Sequence, residues 1–281
     1  MNFHRKPIIY VEHVRIKVSN LARSLAYYQA IIGFSVLEQT DRTAVLTVDG
    51  KTSILSLEQV DNAEPKRRTT GLYHFAILLP HRSDLAQIVY HFAENGVRLG
   101  SADHLVSEAL YLNDPDGNGI EIYADRDPSV WKWGAGEVAM TTDPLDFADL
   151  VASVQKQSWS GLPKGTVMGH IHLHVSELVK TEQFYVEGLG FDVVNRYGGQ
   201  ALFISSGKYH HHIGLNTWNG VGAPAPVANS VGLDWFSLMY DNEEARQAVI
   251  TNLERIGATV TREGDHYVTA DPSGNRILLK I

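Results

Sequence analysis

A duplication that runs through most of the chain constrains its fold more than any other sequence feature. A strand pattern begins at His13 and again at His170, and each strand is followed by a serine that could cap a helix. Both helices should end at a Gly-Phe pair, because glycine is favoured just past the last helical turn. The same offset carries Asp114 onto Asp271. The sequence therefore predicts two tandem copies of one domain.

Each half of the sequence divides again into two similar units. In the first half, predicted strands at residues 44–48 and 53–57 are joined by Asp49-Gly50, a strong hairpin signal. A buried strand at residues 71–79 then opens the next unit, and an amphipathic helix and further strands follow it. The expected fold class is α+β, with tandem βαβββ modules that form curved, mostly antiparallel half-barrel sheets.

The duplicated pattern stops between the two halves. We place the first domain at residues 1–127, a connector at 128–165 and the second domain at 166–281. The connector carries Trp131 and Trp133, so we expect it to pack on the protein. It contains one short helical segment, around residues 146–155.

Composition excludes several classes of function. The 281-residue chain has a formal net charge of −8 and no basic cluster, which argues against nucleic-acid binding. No apolar run approaches the roughly 20 residues that a membrane span needs. Cysteine is absent, so a metal must be held by nitrogen and oxygen ligands, and 13 histidines are available. We expect a cytoplasmic enzyme that acts on a small molecule, and a homo-oligomer is compatible with this composition.

The turn at residues 114–119 leads into a strand that carries a carboxylate. Glu121 alternates with apolar neighbours, so its side chain points away from theirs. The matching turn at Asp271 leads instead to Leu278. Because the turn recurs without the glutamate, we interpret the turn as structural and Glu121 as a candidate functional residue.

Three side chains of the first half could hold a metal. His13 lies in the opening strand of the first unit, His74 in the opening strand of the second, and Glu121 in its closing strand. Strands of one curved sheet can direct such side chains to one concave face. Two imidazoles and one carboxylate match the facial triad that binds Fe(II) and leaves positions open for substrate and oxygen. The predicted metal ligands are His13, His74 and Glu121.

The second half lacks two of these residues. The positions that match His74 and Glu121 hold Trp235 and Leu278. We therefore expect a degenerate copy, whose histidines serve packing or an interface. The alternative is a second metal or substrate site built from three histidines of that half: His170, His172 and His212.

The doubled βαβββ pattern and the Asp-Pro-Asp-Gly-Asn-Gly-Ile-Glu motif at residues 114–121 resemble the vicinal oxygen chelate superfamily. That group includes glyoxalase I, fosfomycin-resistance proteins and extradiol ring-cleaving dioxygenases, and the resemblance covers both domains. Within the group the chain is most similar to two-domain catechol 2,3-dioxygenases. The resemblance implies an Fe(II)-dependent enzyme of aromatic catabolism that uses dioxygen to open the ring of a small aromatic diol beside its hydroxyl groups.

The resemblance also implies roles for two further residues. His104 would be an acid–base group near bound oxygen, and Tyr111 would donate a hydrogen bond to a catecholate oxygen. Familiar two-domain members carry their iron in the second domain, whereas this triad is in the first. They also have an active-site histidine near the end of the first unit of the domain, and residues 53–58 contain none.

Two other functions fit the same sequence. The first is a glyoxalase-like lyase or isomerase, in which Mn, Zn or Ni polarises an oxygen atom as a Lewis acid. The second is a protein that binds and sequesters a small ligand without converting it. The bound metal and the uptake of oxygen distinguish these alternatives from the dioxygenase.

Overall fold

The computed structural model describes residues 2–152 and 154–281, which form four βαβββ units and a connector. Unit 1 contains β1 Tyr10–Val18, α1 Leu21–Tyr27 with a π-helical turn Tyr28–Ile32, β2 Ser35–Gln39, β3 Thr43–Thr47 and β4 Ser53–Gln59. Unit 2 contains β5 Gly71–Leu78, α2 Arg82–Glu94, β6 Gly100–Asp103, β7 Ser107–Asn113 and β8 Gly119–Asp125.

The second half repeats this order after a connector. The connector contains a 3-10 turn Pro128–Val130, β9 Trp133–Gly134, β10 Glu137–Val138 and α3 Phe147–Ala152. Unit 3 contains β11 Val167–His174, α4 Val179–Gln183 with a π-helical turn Phe184–Gly188, β12 Asp192–Tyr197, β13 Ala201–Ser205 and β14 Ile213–Asn216. Unit 4 contains β15 Gly232–Met239, α5 Glu243–Arg255, β16 Val260–Glu263, β17 His266–Ala270 and β18 Arg276–Lys280. The predicted α+β fold of tandem βαβββ units is confirmed.

The strands of the four units form two eight-stranded sheets that do not follow the two halves of the sequence, and β9 and β10 of the connector pair separately. The first sheet has the order β16-β17-β18-β15-β1-β4-β3-β2 and combines units 1 and 4. The second sheet has the order β12-β13-β14-β11-β5-β8-β7-β6 and combines units 2 and 3. We expected each half of the sequence to build its own half-barrel, and the strand pairing corrects this. The limits 1–127, 128–165 and 166–281 remain a prediction about the duplicated sequence.

The physical reason lies in the opening strand of each unit. Within its own unit, that strand pairs on one side alone: β1 with β4, and β5 with β8, both in parallel. Its other edge carries unpaired amide and carbonyl groups that need a partner. An antiparallel strand from the other half of the chain supplies it, β15 for β1 and β11 for β5.

The repeated tyrosine and the repeated turn hold the units together. The Tyr28 hydroxyl donates to Asp114 over 3.0 Å, and the Tyr185 hydroxyl donates to Asp271 over 3.1 Å. Each aspartate also accepts two backbone N–H bonds within its own turn, which confirms that both turns are structural. Ser19, which we expected to cap α1, instead donates its hydroxyl to Asp116 in the turn of unit 2.

The cap of α1 is Asn20, whose side chain accepts from the backbone N–H of Arg23. Trp131 of the connector is buried against Phe3 and Tyr209, so the expected packing of the connector is confirmed there. Residue 153, within the segment where we expected a connector helix, lies outside the described residues. No helix in the described ranges is both long and apolar enough to cross a membrane.

Candidate active site

Three adjacent strands of the second sheet bring His74, Glu121 and His170 together. Ala76 of β5 pairs with Glu121 of β8 on one side and with His170 of β11 on the other. His74 lies two residues before Ala76 and so shares its face. Because the side chain of Ala76 is small, the side chains of His74, Glu121 and His170 can occupy the space over this face of the sheet. The shared face therefore collects two imidazoles and one carboxylate.

A glycine is required for this arrangement. Gly119 pairs with His74, and a Cβ at residue 119 would lie 2.2 Å from the carbonyl oxygen of Tyr73. No side chain could be accommodated at that distance from backbone. Gly119 therefore allows β8 to pair beside His74 and places Glu121 two residues further along the strand.

The three side chains are buried and in contact. Nε2 of His74 and Nε2 of His170 each lie 3.0 Å from Oε2 of Glu121. The potential ligand atoms of all three residues lie within 4.8 Å of one another. The contact between His170 and Glu121 is a hydrogen bond, whereas Nε2 of buried His74 has no aligned hydrogen-bond partner among the described residues.

The protonation states suit a divalent cation. Burial alone would raise the pKa of Glu121, but the interactions with His170 and His74 outweigh burial and hold that pKa well below its usual range. Burial lowers the pKa of His170 to about 4, so its imidazole is neutral at neutral pH. The buried carboxylate of Glu121 lies beside this neutral imidazole, and no lysine or arginine among the described residues supplies a compensating positive charge. A divalent metal would supply that charge, and the donor set fits one.

The structure does not bring His13 to this cluster. His13 lies on β1 of the first sheet, where its Nε2 is 2.8 Å from the Ser56 hydroxyl and its ring stacks on Trp235. His170, its counterpart in the repeat, stands in the cluster instead. The predicted set of His13, His74 and Glu121 is therefore corrected, because units 1 and 2 belong to different sheets.

The cluster lies in the wall of a cavity of about 340 Å³. His74 and Glu121 line it together with His172 and His211 of unit 3. Much of the remaining wall is aromatic or apolar: Tyr73, Met140, Tyr197, Phe203 and Trp218. No lysine or arginine is among the described lining residues. The connector contributes Met140 to this wall, so it completes the cavity.

His104 and Tyr111 stand together at the cavity, as the sequence suggested. Nδ1 of His104 lies 2.6 Å from the carbonyl oxygen of Thr141 and therefore donates to it. In the neutral ring Nε2 then accepts from the Tyr111 hydroxyl, also over 2.6 Å. Burial, followed by the charge of Glu121, raises the pKa of Tyr111 well above its usual range, so the phenol keeps its proton.

The alternative set of His170, His172 and His212 does not form one cluster. His170 belongs to the triad, and His172 faces the cavity with a buried Nε2 that lacks a hydrogen-bond partner among the described residues. Nε2 of His212 lies 3.1 Å from the carbonyl oxygen of Phe3 instead. No group of three ligands containing His172 or His212 is found in the described part of the chain.

The repeated units match the model of one protein family. The model described as "Glyoxalase/Bleomycin resistance protein/Dioxygenase superfamily" matches residues 10–122 and again residues 167–279. The chain belongs to this superfamily. The resemblance drawn from the duplicated motif is thereby confirmed.

One relative of the chain carries the name of an enzyme. The chain is 44% identical over 267 residues to a catechol-2,3-dioxygenase of Bacillus subtilis (strain 168), and the match covers 94% of each chain. This similarity confirms the prediction that the chain is an enzyme of the dioxygenase kind.

Solved structures with little sequence similarity share the superfamily fold. A protein of Bacillus subtilis subsp. subtilis str. 168 with a provisional dioxygenase name has a TM-score of 0.63 at 14% identity, covering 98% of this chain and 86% of that one. Glyoxalase I from Zea mays has a TM-score of 0.58 at 16% identity, covering 96% and 92%. At these identities the comparison supports the fold alone.

His211 is a cavity residue that the sequence analysis missed. It lies in the loop between β13 and β14, and its ring centroid is 4.1 Å from that of His170. The repeat carries residues 53–58, where we looked for a further histidine, onto the segment that opens with His210, His211 and His212. Units 2 and 3 share a sheet, so a histidine of unit 3 lines the same cavity as His74 and Glu121.

Proposed function

We propose that this chain is an Fe(II)-dependent extradiol dioxygenase that acts on a catechol. The observation that carries the proposal is the buried cluster of His74, Glu121 and His170 in the wall of an aromatic-lined cavity. The 44% identity to a catechol-2,3-dioxygenase over 94% of the chain supports the same assignment. Both atoms of dioxygen would enter the substrate, and the ring would open beside the two hydroxyl groups.

The metal would be held by the three residues of the cluster. Two neutral imidazoles and one carboxylate form the donor set of the non-haem iron facial triad, which leaves coordination positions open. When bound, Fe(II) would supply the redox chemistry that lets dioxygen react with the aromatic ring. The alternatives for the same donor set are Mn, Zn and Ni.

Protein side chains would orient the diol and move its protons. Tyr111 keeps its proton and sits at the cavity, so its hydroxyl can donate to a catecholate oxygen. Without substrate that single proton is donated to His104, so the hydroxyl would exchange this acceptor for the catecholate oxygen when substrate binds. His211 lines the cavity near His170 and is placed to accept a proton from a catechol hydroxyl. These roles use groups that already face the cavity.

The cavity wall indicates the class of catechol. Its aromatic and apolar side chains favour an uncharged ring with apolar substituents, and no lysine or arginine is among the described lining residues to neutralise a carboxylate. Burying an unpaired carboxylate costs several kcal/mol, which corresponds to at least about a hundredfold in kcat/KM. We therefore expect catechol and alkylcatechols to be good substrates, and carboxylated catechols of the same ring size to be poor ones. Comparable kcat/KM values for both would contradict this assignment.

The function is tested with protein purified anaerobically. Metal analysis should find iron, and addition of catechol should consume one dioxygen per catechol and give a product with the mass of substrate plus two oxygen atoms. Zn, Ni or Mn without oxygen uptake would favour the lyase or isomerase. Binding of catechol by metal-loaded protein without any product would favour the sequestering protein.

A further inference from the structure

A chain of hydrogen-bonded side chains leads from the cavity towards the protein surface. His211 lines the cavity, and its Nδ1 lies 2.8 Å from Nδ1 of His210. Nε2 of His210 lies 2.8 Å from Oδ1 of Asp125, at the end of β8. The Asp125 side chain is 21% exposed, whereas that of His210 is fully buried. The chain therefore joins a cavity residue to a carboxylate in contact with solvent.

The chemistry of the three groups sets the direction of these hydrogen bonds. An ionised aspartate only accepts, and Asp125 accepts from the Tyr209 hydroxyl over 3.2 Å as well. His210 must therefore donate from Nε2, and its neutral ring keeps a lone pair on Nδ1. His211 must then donate from its own Nδ1. The neutral ring of His211 consequently carries its lone pair on Nε2.

The free nitrogen of His211 is the one available to a ligand. Its Nδ1 is committed to His210, and no hydrogen bond to its Nε2 is found among the described residues. Among the described residues, the hydrogen bond to Asp125 is the one that distinguishes the two tautomers of the imidazole pair. The position of Asp125 thus decides which nitrogen of His211 can act as a base.

We propose that Asp125 and His210 are positioning residues that hold His211 in the tautomer with an unprotonated Nε2 at the cavity. The inference rests on the proposed function, because the group that meets Nε2 would be a catechol hydroxyl. In that step the substrate O–H bond breaks and a bond between the proton and Nε2 forms. The Nδ1 proton can then pass to His210, and the Nε2 proton of His210 to Asp125 and solvent, so that no charge accumulates at the buried pair.

The tautomers can be measured directly on the full-length protein, without substrate. Long-range proton–nitrogen correlation spectra of ¹⁵N-labelled protein report which imidazole nitrogen is protonated, and His210→Gln and His211→Gln assign the signals. In the wild type, His211 should be protonated at Nδ1 and His210 at Nε2. In Asp125→Ala the signals of both rings should shift towards the other tautomer or a mixture. A wild-type His211 protonated at Nε2, or an unchanged His211 in Asp125→Ala, would overturn the proposal.

Kinetics provide the second measurement. In Asp125→Ala and His210→Phe, kcat should fall roughly tenfold to a hundredfold, as for other residues that orient a functional histidine, while KM and metal content stay near wild type. Asp234→Ala is the matched control, because the Asp234 side chain has a similar exposure of 24% but pairs with Arg15 on the first sheet. A kcat in both relay variants equal to that of the control would contradict the proposal.

A further variant tests the proposal if Asp125→Ala does not fold well. Asp125→Asn keeps the shape of the side chain, and its amide can turn an N–H towards His210 and reverse the chain. The nitrogen spectrum of this variant should show His211 protonated at Nε2 in at least part of the molecules, and an unchanged spectrum would overturn the proposal. If the wild type converts no catechol, the proposed function fails, and the spectra still decide the tautomer of His211.

Discussion

The two sheets are built from the same unit twice over, yet they differ at two of the three positions that could hold a metal. The second sheet holds His74, Glu121 and His170, and the matching positions of the first sheet hold Trp235, Leu278 and His13. Both sheets keep the aspartate turn and its tyrosine partner. The scaffold is therefore independent of the metal ligands, and a few side chains distinguish the candidate active site from its copy.

In the first sheet, the histidine at the matching position, His13, has contacts other than a carboxylate. His13 contacts Ser56 and Trp235 in place of a carboxylate. Further along the same strands, Arg15 pairs with Glu58 over 2.7 Å and Lys280 with Glu12 over 2.7 Å. Charged side chains thus neutralise one another on this sheet, whereas Glu121, buried on the second sheet, has no lysine or arginine partner among the described residues. This difference predicts where substitutions will affect metal binding.

The largest effect is expected for Glu121→Gln. The amide keeps the volume of the side chain and leaves the turn intact, and Leu278 shows that this strand position tolerates a neutral residue. Only the anionic ligand is lost, so metal affinity and turnover should fall by more than about a hundredfold while the metal-free protein stays as stable as wild type. Metal analysis, oxygen uptake and thermal unfolding check this. Full metal content in the variant would mean that the cluster is not the metal site.

A matched pair of histidine variants tests the strand pairing. His170→Ala should abolish metal binding, whereas His13→Ala, at the equivalent strand position, should leave metal content and kcat unchanged. The reason is that β11 joins the sheet of His74 and β1 does not. Loss of metal in His13→Ala with retention in His170→Ala would favour the original assignment from sequence and contradict the sheet pairing.

A smaller effect is expected for Tyr111→Phe. This change removes the hydroxyl beside His104 without touching the three candidate ligands. Iron content should stay at the wild-type level, and kcat should fall roughly tenfold to a hundredfold because a substrate-orienting hydrogen bond is lost. Parallel metal analysis and steady-state kinetics separate this outcome from metal loss. Equal kcat in variant and wild type would remove Tyr111 from the proposed mechanism.

The smallest difference concerns the two turns. Asp114→Ala and Asp271→Ala each remove an acceptor of two backbone bonds and of a tyrosine hydroxyl, so each should cost about 2 kcal/mol of unfolding free energy. Denaturant unfolding measures this. Metal affinity should fall further in Asp114→Ala, because only that turn leads to Glu121. Equal metal affinity in both variants would show that the turn does not position the ligand.

Much of the local structure could be predicted from the sequence. Contacts between near neighbours determine the strand and helix patterns, the hairpin at Asp49-Gly50 and the two turns. Such contacts can be recognised directly in the order of residues. The comparison of Glu121 with Leu278 also relied on local sequence. Both copies of the turn are present in the chain, but only one leads to a glutamate, so the fold does not require that glutamate. His74 and Glu121 were predicted together for this reason, and the structure places them 3.0 Å apart.

His13 and the helix caps show where local patterns fail. Ser19 has the character of a cap, but it bonds to Asp116 of another unit. His13 has the same strand position as His170, and no local feature distinguishes them. His211 was missed for the same reason. We expected a histidine near the end of unit 1, whereas His211 lies in unit 3.

The sequence by itself determined the four units, the order of their elements and the carboxylate that only one copy of the turn provides. The tertiary structure alone decided that unit 2 pairs with unit 3, and hence that His170 and His211 join His74 and Glu121 at one cavity. The physical reason is that the open edges of the opening strands offer the same backbone donors and acceptors in every unit. Packing across the whole chain decides which of these edges pair. The paired strands lie far apart in the sequence, and residue periodicity carries information about near neighbours only.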